Sequence, residues 1–271
     1  MRKLLDFFSV LLFVTSFASV VLAAHVEGWG GFLKTMTKEN GFFEWMSVLL
    51  LLSIAVYGAV FVVKNRRNVP KRVLVFSAGF ALLGFLAAME EISWGQQVFG
   101  FRSGEYFAQH NYQKETNLHN LIPAEIFSSI VYSGVYTFFV FVPLIVRFFA
   151  DRVRLFRKAL PYTPSLQIVL IVLYGAAFQA WFYDDFGAWF DMGTQLVAVA
   201  LTGLYILLRR HEVSGANKLS WLLIVLTVVV FMASYRVFGF FNMQYEIREM
   251  FVDLAALYYF IQLTQAARRT R

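Results

Sequence analysis

Hydrophobic residues in this chain run in long, almost uninterrupted blocks separated by short polar stretches, the pattern of lipid-spanning helices and not of half-buried strands. A bilayer core of about 30 Å takes about 20 mostly apolar residues in a helix. Eight blocks meet that requirement, near residues 4–24, 44–63, 73–93, 126–148, 165–184, 189–208, 219–238 and 246–262. They predict an all-α, polytopic transmembrane bundle forming one integral membrane domain over residues 1–271. The first block, led by Arg2-Lys3 and closed by Ala23 and Ala24, also has the form of a signal peptide. A retained helix is the expectation adopted here; its removal would leave seven spans.

The polar positions between the blocks give the orientation. Arg2-Lys3, the cluster from Lys64 to Arg72, that from Arg147 to Lys158, the Arg209-to-Lys218 turn and the tail at Arg268, Arg269 and Arg271 fall on alternate connections. Together they hold 18 of the 24 basic residues. Short cytoplasmic loops keep positive charge, so both termini are expected in the cytoplasm, with bacterial inner membrane as the location. Acidic residues do the reverse, 14 of 17 belonging to the outer half. That outer face would attract cations or a basic head group and repel nucleic acid.

Composition agrees with this picture. The chain is 59% hydrophobic and 15% charged, against about 45–50% and about 25% in soluble domains. It has no cysteine, which excludes disulfides, thiolate zinc sites and cysteine nucleophiles. No nucleotide-binding motif is present.

Candidate chemistry concentrates in the outer half. Glu90 and Glu91 end the third block after seventeen uncharged residues. Glu90, Ser93 and Gln97 share one helical face, while Glu91 points about 100° away. The alternative is a pair of solvated interfacial carboxylates, or carboxylates paired with Arg102 or Lys114. Residues 94–125, with Gly95, Gly100 and Gly104 among aromatics, predict a partly structured cap over the bundle. The cap holds His110-Asn111 and His119-Asn120; the imidazoles are candidate metal ligands or proton carriers, at a spacing that fits no helical zinc motif. Ordinary loop histidines are the alternative. Asp184, Asp185 and Asp191 lie around a short outer turn, where Asp is also at home without function. Glu246, Glu249 and Asp253 form an acidic stripe entering the last block, with Arg236 and Arg248 as partners for Asp253; a structural salt-bridge network is the competing reading.

Three runs carry a resemblance: EEISWGQQVFG at 90–100, HNYQKETNLHN at 110–120 and EIREMFVDLAALYY at 246–259. They resemble segments of a family of uncharacterised bacterial multi-spanning membrane proteins sharing EEISWGQ and NLHN, and cover 36 of the 271 residues. A looser similarity is to the membrane hydrolase superfamily containing alkaline ceramidases. That analogy implies a zinc site of His and Asp beside a carboxylate and a serine, but the superfamily's HxxxH element is missing here.

The resulting expectation is an outward-facing site for metal-dependent hydrolysis or group transfer on a lipid-linked or envelope substrate. Glu90 or Glu91 would act as base and Ser93 would assist. His110, His119, Asp184, Asp185, Glu246 and Glu249 would hold a divalent metal, zinc first, otherwise manganese, calcium or magnesium. Asn111, Asn120, Arg236, Arg248 and Asp253 would support the site. The alternatives are a cation- or proton-coupled transporter and a non-catalytic assembly partner.

Overall fold

The computed structural model describes residues 2–26, 28–36, 41–178, 186–233 and 244–269. All regular structure among them is helical. In chain order the helices are α1 (Arg2–His25), α2 (Trp29–Met36), α3 (Phe42–Asn65), α4 (Lys71–Glu91), α5 (Gln96–Phe99), α6 (Glu105–His110), α7 (Ala124–Tyr136), α8 (Val142–Phe149), α9 (Arg154–Ala159), α10 (Leu166–Ala177), α11 (Phe186–Leu208), α12 (Gly215–Ala233) and α13 (Gln244–Arg269).

Each of the eight apolar blocks contains helix among its described residues, although the block at 73–93 overruns its helix, which ends at Glu91, and fewer are long and apolar enough to cross a bilayer. Five helices qualify: Phe42–Asn65, Lys71–Glu91, Ile126–Phe149, Trp189–Leu208 and Gly215–Ala233. A sixth is added if Arg154–Tyr162 and Leu166–Ala177, bent by 66°, count as one span. The chain is therefore a helical membrane protein with five to six such segments among its described residues. The difference has local causes. The block at 165–184 is described as helix only to Ala177, α1 has its apolar stretch at Phe7–Leu22, and α13 carries Glu246, Arg248, Glu249 and Asp253 in its first three turns.

α3 and α4 form an antiparallel hairpin across the basic turn at Arg66 and Arg67. A Cβ at Gly58 would lie 2.6 Å from the Cβ of Ala81, and one at Gly84 would lie 2.8 Å from the Ile54 side chain. Only glycine permits this close approach, the usual device for packing helices where lipid offers no hydrophobic driving force. Away from that contact, Val75, Leu82 and Leu83 of α4 are exposed, an apolar face of the kind lipid covers.

α10 is the central pillar. Leu166 and every residue from Ile168 to Ala177 are buried, as expected of a helix that is apolar all round. At its start, Ser165 caps the helix by accepting from the Ile168 N–H (3.4 Å). Gln262 of α13 accepts from the Ser165 N–H (3.0 Å) and donates to the Thr163 carbonyl (2.7 Å), and Tyr259 donates to the Tyr162 carbonyl (3.0 Å). Phe13 of α1 stacks on Tyr174, with ring centres 4.4 Å apart, which brings the first helix into the same core.

Between α7 and α8 the helix widens into a π turn at Thr137–Phe141, with the Val142 N–H reaching back to the Thr137 carbonyl. Pro143 follows at once. A proline ring clashes with the carbonyl four residues back and supplies no N–H, so the wider turn removes the conflict without ending the span. At the basic end of the bundle, Arg209 bonds Asp151 and Glu212, and its hydrogen bond holds the Asp151 carboxyl below the ordinary range.

A further close inter-helix approach bears on the site. A Cβ at Gly175 would lie 2.8 Å from the Arg248 carbonyl oxygen and 3.3 Å from its Cα, so α10 and α13 touch backbone to backbone beside a buried arginine. Gly175→Ala should lower stability by about 1–3 kcal/mol through overpacking. Gly79→Ala, whose Cβ meets nothing within 4 Å, should not. Thermal denaturation of the two variants in detergent measures the difference.

Candidate functional site

The site is built where α4 ends. Three consecutive residues, Ser93 (φ 48°), Trp94 (φ 53°) and Gly95 (φ 90°), are left-handed and turn the chain sharply off the helix axis into α5. For the two non-glycine residues this conformation costs about 1–2 kcal/mol each. Buried hydrogen bonds offset it. The Ser93 hydroxyl donates to Glu115 Oε2 (2.6 Å) and accepts from Asn117 Nδ2 (3.1 Å), and both Ser93 and Asn117 are almost fully buried.

The same asparagine joins the turn to the rest of the cap. Asn111 Nδ2 donates to the Asn117 carbonyl (2.9 Å) and to its Oδ1 (2.8 Å). Asn111 Oδ1 accepts from the N–H groups of Gln113 (2.9 Å) and Glu115 (3.1 Å). Gln96 Oε1 accepts from the Thr116 N–H (2.8 Å), and the Tyr112 N–H donates to the Asn120 carbonyl (2.9 Å). Asn120 Nδ2 bonds Gln113 Oε1. Residues 93–120 thus form a cross-linked cap.

Glu90 pins this cap to the bundle. One carboxylate oxygen accepts from the Trp94 indole N–H (2.6 Å). The other accepts from the backbone N–H groups of Leu118 (2.7 Å) and His119 (3.2 Å), with His119 Nδ1 at 3.4 Å. The two sequence runs EEISWGQ and NLHN therefore interlock: Glu90 holds Leu118 and His119, and Ser93 holds Asn117. His119 is further fixed against Phe127, with ring centres 5.7 Å apart.

Glu91, a third of a turn away, faces the other polar group. It lies within electrostatic reach of Glu44 from α3 and of Glu246, Glu249 and Asp253 from α13. This follows from the packing of α13 on α3 and α4, which brings the acidic starts of α3 and α13 to the acidic end of α4. Glu249 accepts from the Tyr132 hydroxyl (3.3 Å) and is within reach of both His119 and Arg248. Asp253 sits beside Ser47.

Arg248, with 1% of its surface exposed, turns away from this stripe. Its Nη1 lies 3.8 Å from Asp191 Oδ2, and its guanidinium stacks 3.4 Å over the Tyr132 ring. Arg248 and Asp253 are five residues apart, about 140° round the helix, so the two expected partners occupy different faces. Asp253 and Glu249, four apart, share one. Below Asp191 on α11, Gln195 is 1% exposed and neither of its amide atoms has a hydrogen-bond partner among the described residues.

Of the residues expected from sequence, Glu90, Glu91, His119, Glu246, Glu249 and Asp253 come together. Ser93, Asn111 and Asn120 are hydrogen-bonded within the cap. His110 stands apart: it is exposed, its Nδ1 is 2.9 Å from the Tyr106 carbonyl oxygen, and its ring stacks on Tyr106. Asp184, Asp185 and Arg236 lie outside the described residues. Among the described residues no three His, Asp or Glu side chains are gathered closely enough to hold a metal ion.

Sequence reasoning passed over Glu44, Ser47, Trp94, Glu115, Asn117, Tyr132 and Gln195. Glu44 and Ser47 at i and i+3 in a span start carried a usable signal; the others depend on the tertiary turn. Comparison with protein-family models, with curated proteins and with solved structures gives no match.

If Glu90 pins the cap, removing its carboxylate frees the N–H groups of Leu118 and His119 together. Hydrogen bonds to a charged group contribute about 1.5–3 kcal/mol. Glu90→Ala should therefore speed hydrogen exchange at those two amides by about 10–100-fold, with exchange in α10 unchanged. Mass-spectrometric exchange on the full chain measures both.

Proposed function

We propose that this chain is an inner-membrane protein of eight spans with both termini in the cytoplasm, and that its capped acidic end performs hydrolysis or group transfer on a lipid-linked or envelope substrate. The observation that carries the reading is the orientation of His119 by Glu90 beside a group of carboxylates. A histidine whose Nδ1–H faces a carboxylate presents Nε2 as a base, the arrangement by which proton transfer is positioned in acyl and phosphoryl chemistry. The resemblance of EEISWGQ and NLHN to bacterial multi-spanning membrane proteins is consistent with this location.

In the proposed reaction, His119 Nε2 takes a proton from water as the water oxygen bonds to the carbonyl carbon or phosphorus of the substrate. The bond to the leaving group breaks, and a protonated carboxyl of the group, Glu249 with its Tyr132 contact, gives the leaving oxygen a proton. Glu90 holds His119 throughout. The 3.4 Å Nδ1 contact is compatible with this role because catalytic hydrogen bonds tighten around substrate.

The expected divalent metal fits the described donors poorly as they stand, because no three approach one point. Its binding would need Glu91 and Glu249 to close on His119, or donors from Asp184 and Asp185. The acid–base reading does not depend on it.

A second reading, a cation- or proton-coupled transporter, is favoured by one observation. The polar set continues inward, through Asp253 two turns along α13 and Gln195 one turn below Asp191. Carboxylates this close are stabilised by taking up positive charge, whether as protons or as a cation.

The reconstituted full chain should cleave a fluorogenic acyl-lipid or phosphodiester-lipid analogue. His119→Ala should lower kcat/KM by about 10²–10⁴-fold, the usual contribution of a positioned base. Wild-type protein that is folded yet turns over no analogue faster than His119→Ala overturns the enzymatic reading. Elemental analysis of the same preparation tests the metal, and proton or sodium flux in liposomes, lost in Glu91→Gln and Asp253→Asn, would establish the second reading instead.

A further inference from the structure

The cap has two unlike edges. From Trp94 to Phe101 its exposed side chains are apolar: Trp94, Val98, Phe99 and Phe101 are all exposed, Phe99 by 80%. From Arg102 to Lys114 the exposed side chains are mainly polar, among them Arg102, Glu105, Gln109, His110, Gln113 and Lys114, and the exposed large rings, Tyr106 and Tyr112, carry hydroxyls.

The apolar edge follows directly on α4, whose last helical residue is Glu91. α4 presents Leu82, Leu83 and Leu86 outward, so exposed apolar side chains occur along the span and again on α5 just past its end. A water-facing loop has no reason to show four large apolar side chains within eight residues, because each forfeits the free energy of burial. Among the described residues none covers them, whereas α4, from which they follow in the chain, is a helix long and apolar enough to lie in lipid. Arg102, next in sequence, suits a position where a long basic side chain reaches from the membrane surface toward phosphate.

We propose that the edge from Trp94 to Phe101 is a lipid-embedded wedge. It dips into the bilayer leaflet at the acidic end of the bundle, while α6 and residues 109–114 remain in water. Trp94 occupies the boundary. Its ring is exposed toward the lipid side and its indole N–H donates to Glu90 at 2.6 Å, the two-sided contact that tryptophan makes at membrane interfaces. The pin that holds the cap is thereby tied to the membrane surface, and the Glu90–His119 pair sits one side chain away from the acyl-chain boundary. A substrate anchored in that leaflet could reach the pair laterally. The wedge shares with the proposed function only the placement of the cap at a membrane surface; it stands if the chain has no hydrolytic activity.

The chain has no cysteine, so single-cysteine variants of the full protein report on one position each. Phe99→Cys, Gln109→Cys and Leu83→Cys, labelled with an environment-sensitive fluorophore and placed in phosphatidylcholine–phosphatidylglycerol nanodiscs, form the test. The label at 83 confirms insertion. The label at 99 should show blue-shifted emission, quenching by lipids spin-labelled high on the acyl chain, and little response to aqueous iodide; the label at 109 should show the opposite. With 83 in lipid, iodide quenching at 99 equal to that at 109 overturns the wedge. Phe101→Cys serves in place of Phe99→Cys if the latter does not fold, and is read in the same way. Loss of activity on the lipid analogue in any variant leaves these readings unaffected.

Discussion

A single carboxylate, that of Glu90, accepts two adjacent backbone N–H groups and an indole N–H, and the rest of the acidic end depends on that acceptor. Backbone donors left unmatched near a membrane are costly, and a carboxylate satisfies them more strongly than a neutral group would. The cost of turning the chain through Ser93 and Trp94 is met by the same region, because the turn is what brings Asn117 and Glu115 back onto Ser93. Strain, hydrogen bonding and the position of His119 are therefore parts of one arrangement.

The carboxylates behind the pin follow from helix packing. Glu44, Glu91, Glu246, Glu249 and Asp253 come from three helices, and they meet because α3 and α4 approach through glycines and α13 rests on α3. Arg248 is held among Asp191, Tyr132 and the backbone of Gly175, so the acidic group has a guanidinium at its edge and not at its centre. A polar layer of this kind inside apolar helices is expensive to keep, which is why its upkeep points to a use.

Much of the architecture could be read from residue pattern alone. Apolar blocks at 44–63, 73–93, 126–148 and 189–208 correspond within a few residues to helices Phe42–Asn65, Lys71–Glu91, Ile126–Phe149 and Trp189–Leu208, because block length is set by the bilayer and not by tertiary detail. The opposite reason explains what was not legible. α2 lies inside a stretch that reads as loop, and the roles of Ser93 and Asn117 arise from three left-handed residues that no periodicity announces. The two cap histidines look alike in sequence. Only the fold separates His119, which faces Glu90, from His110, which turns back on its own short helix.

α10 and α13 are fastened at both ends, by Gly175 against Arg248 at one and by Gln262 and Tyr259 at the other. Two helices clamped in this way cannot slide or tilt independently, so they form the stator of the molecule. Any rearrangement that admits a ligand has to be borne by the parts not so clamped. The π turn at Thr137–Phe141, where the backbone ladder is already loosened beside Tyr132 and Tyr136, is the place in the described fold where a span can flex without breaking its register elsewhere.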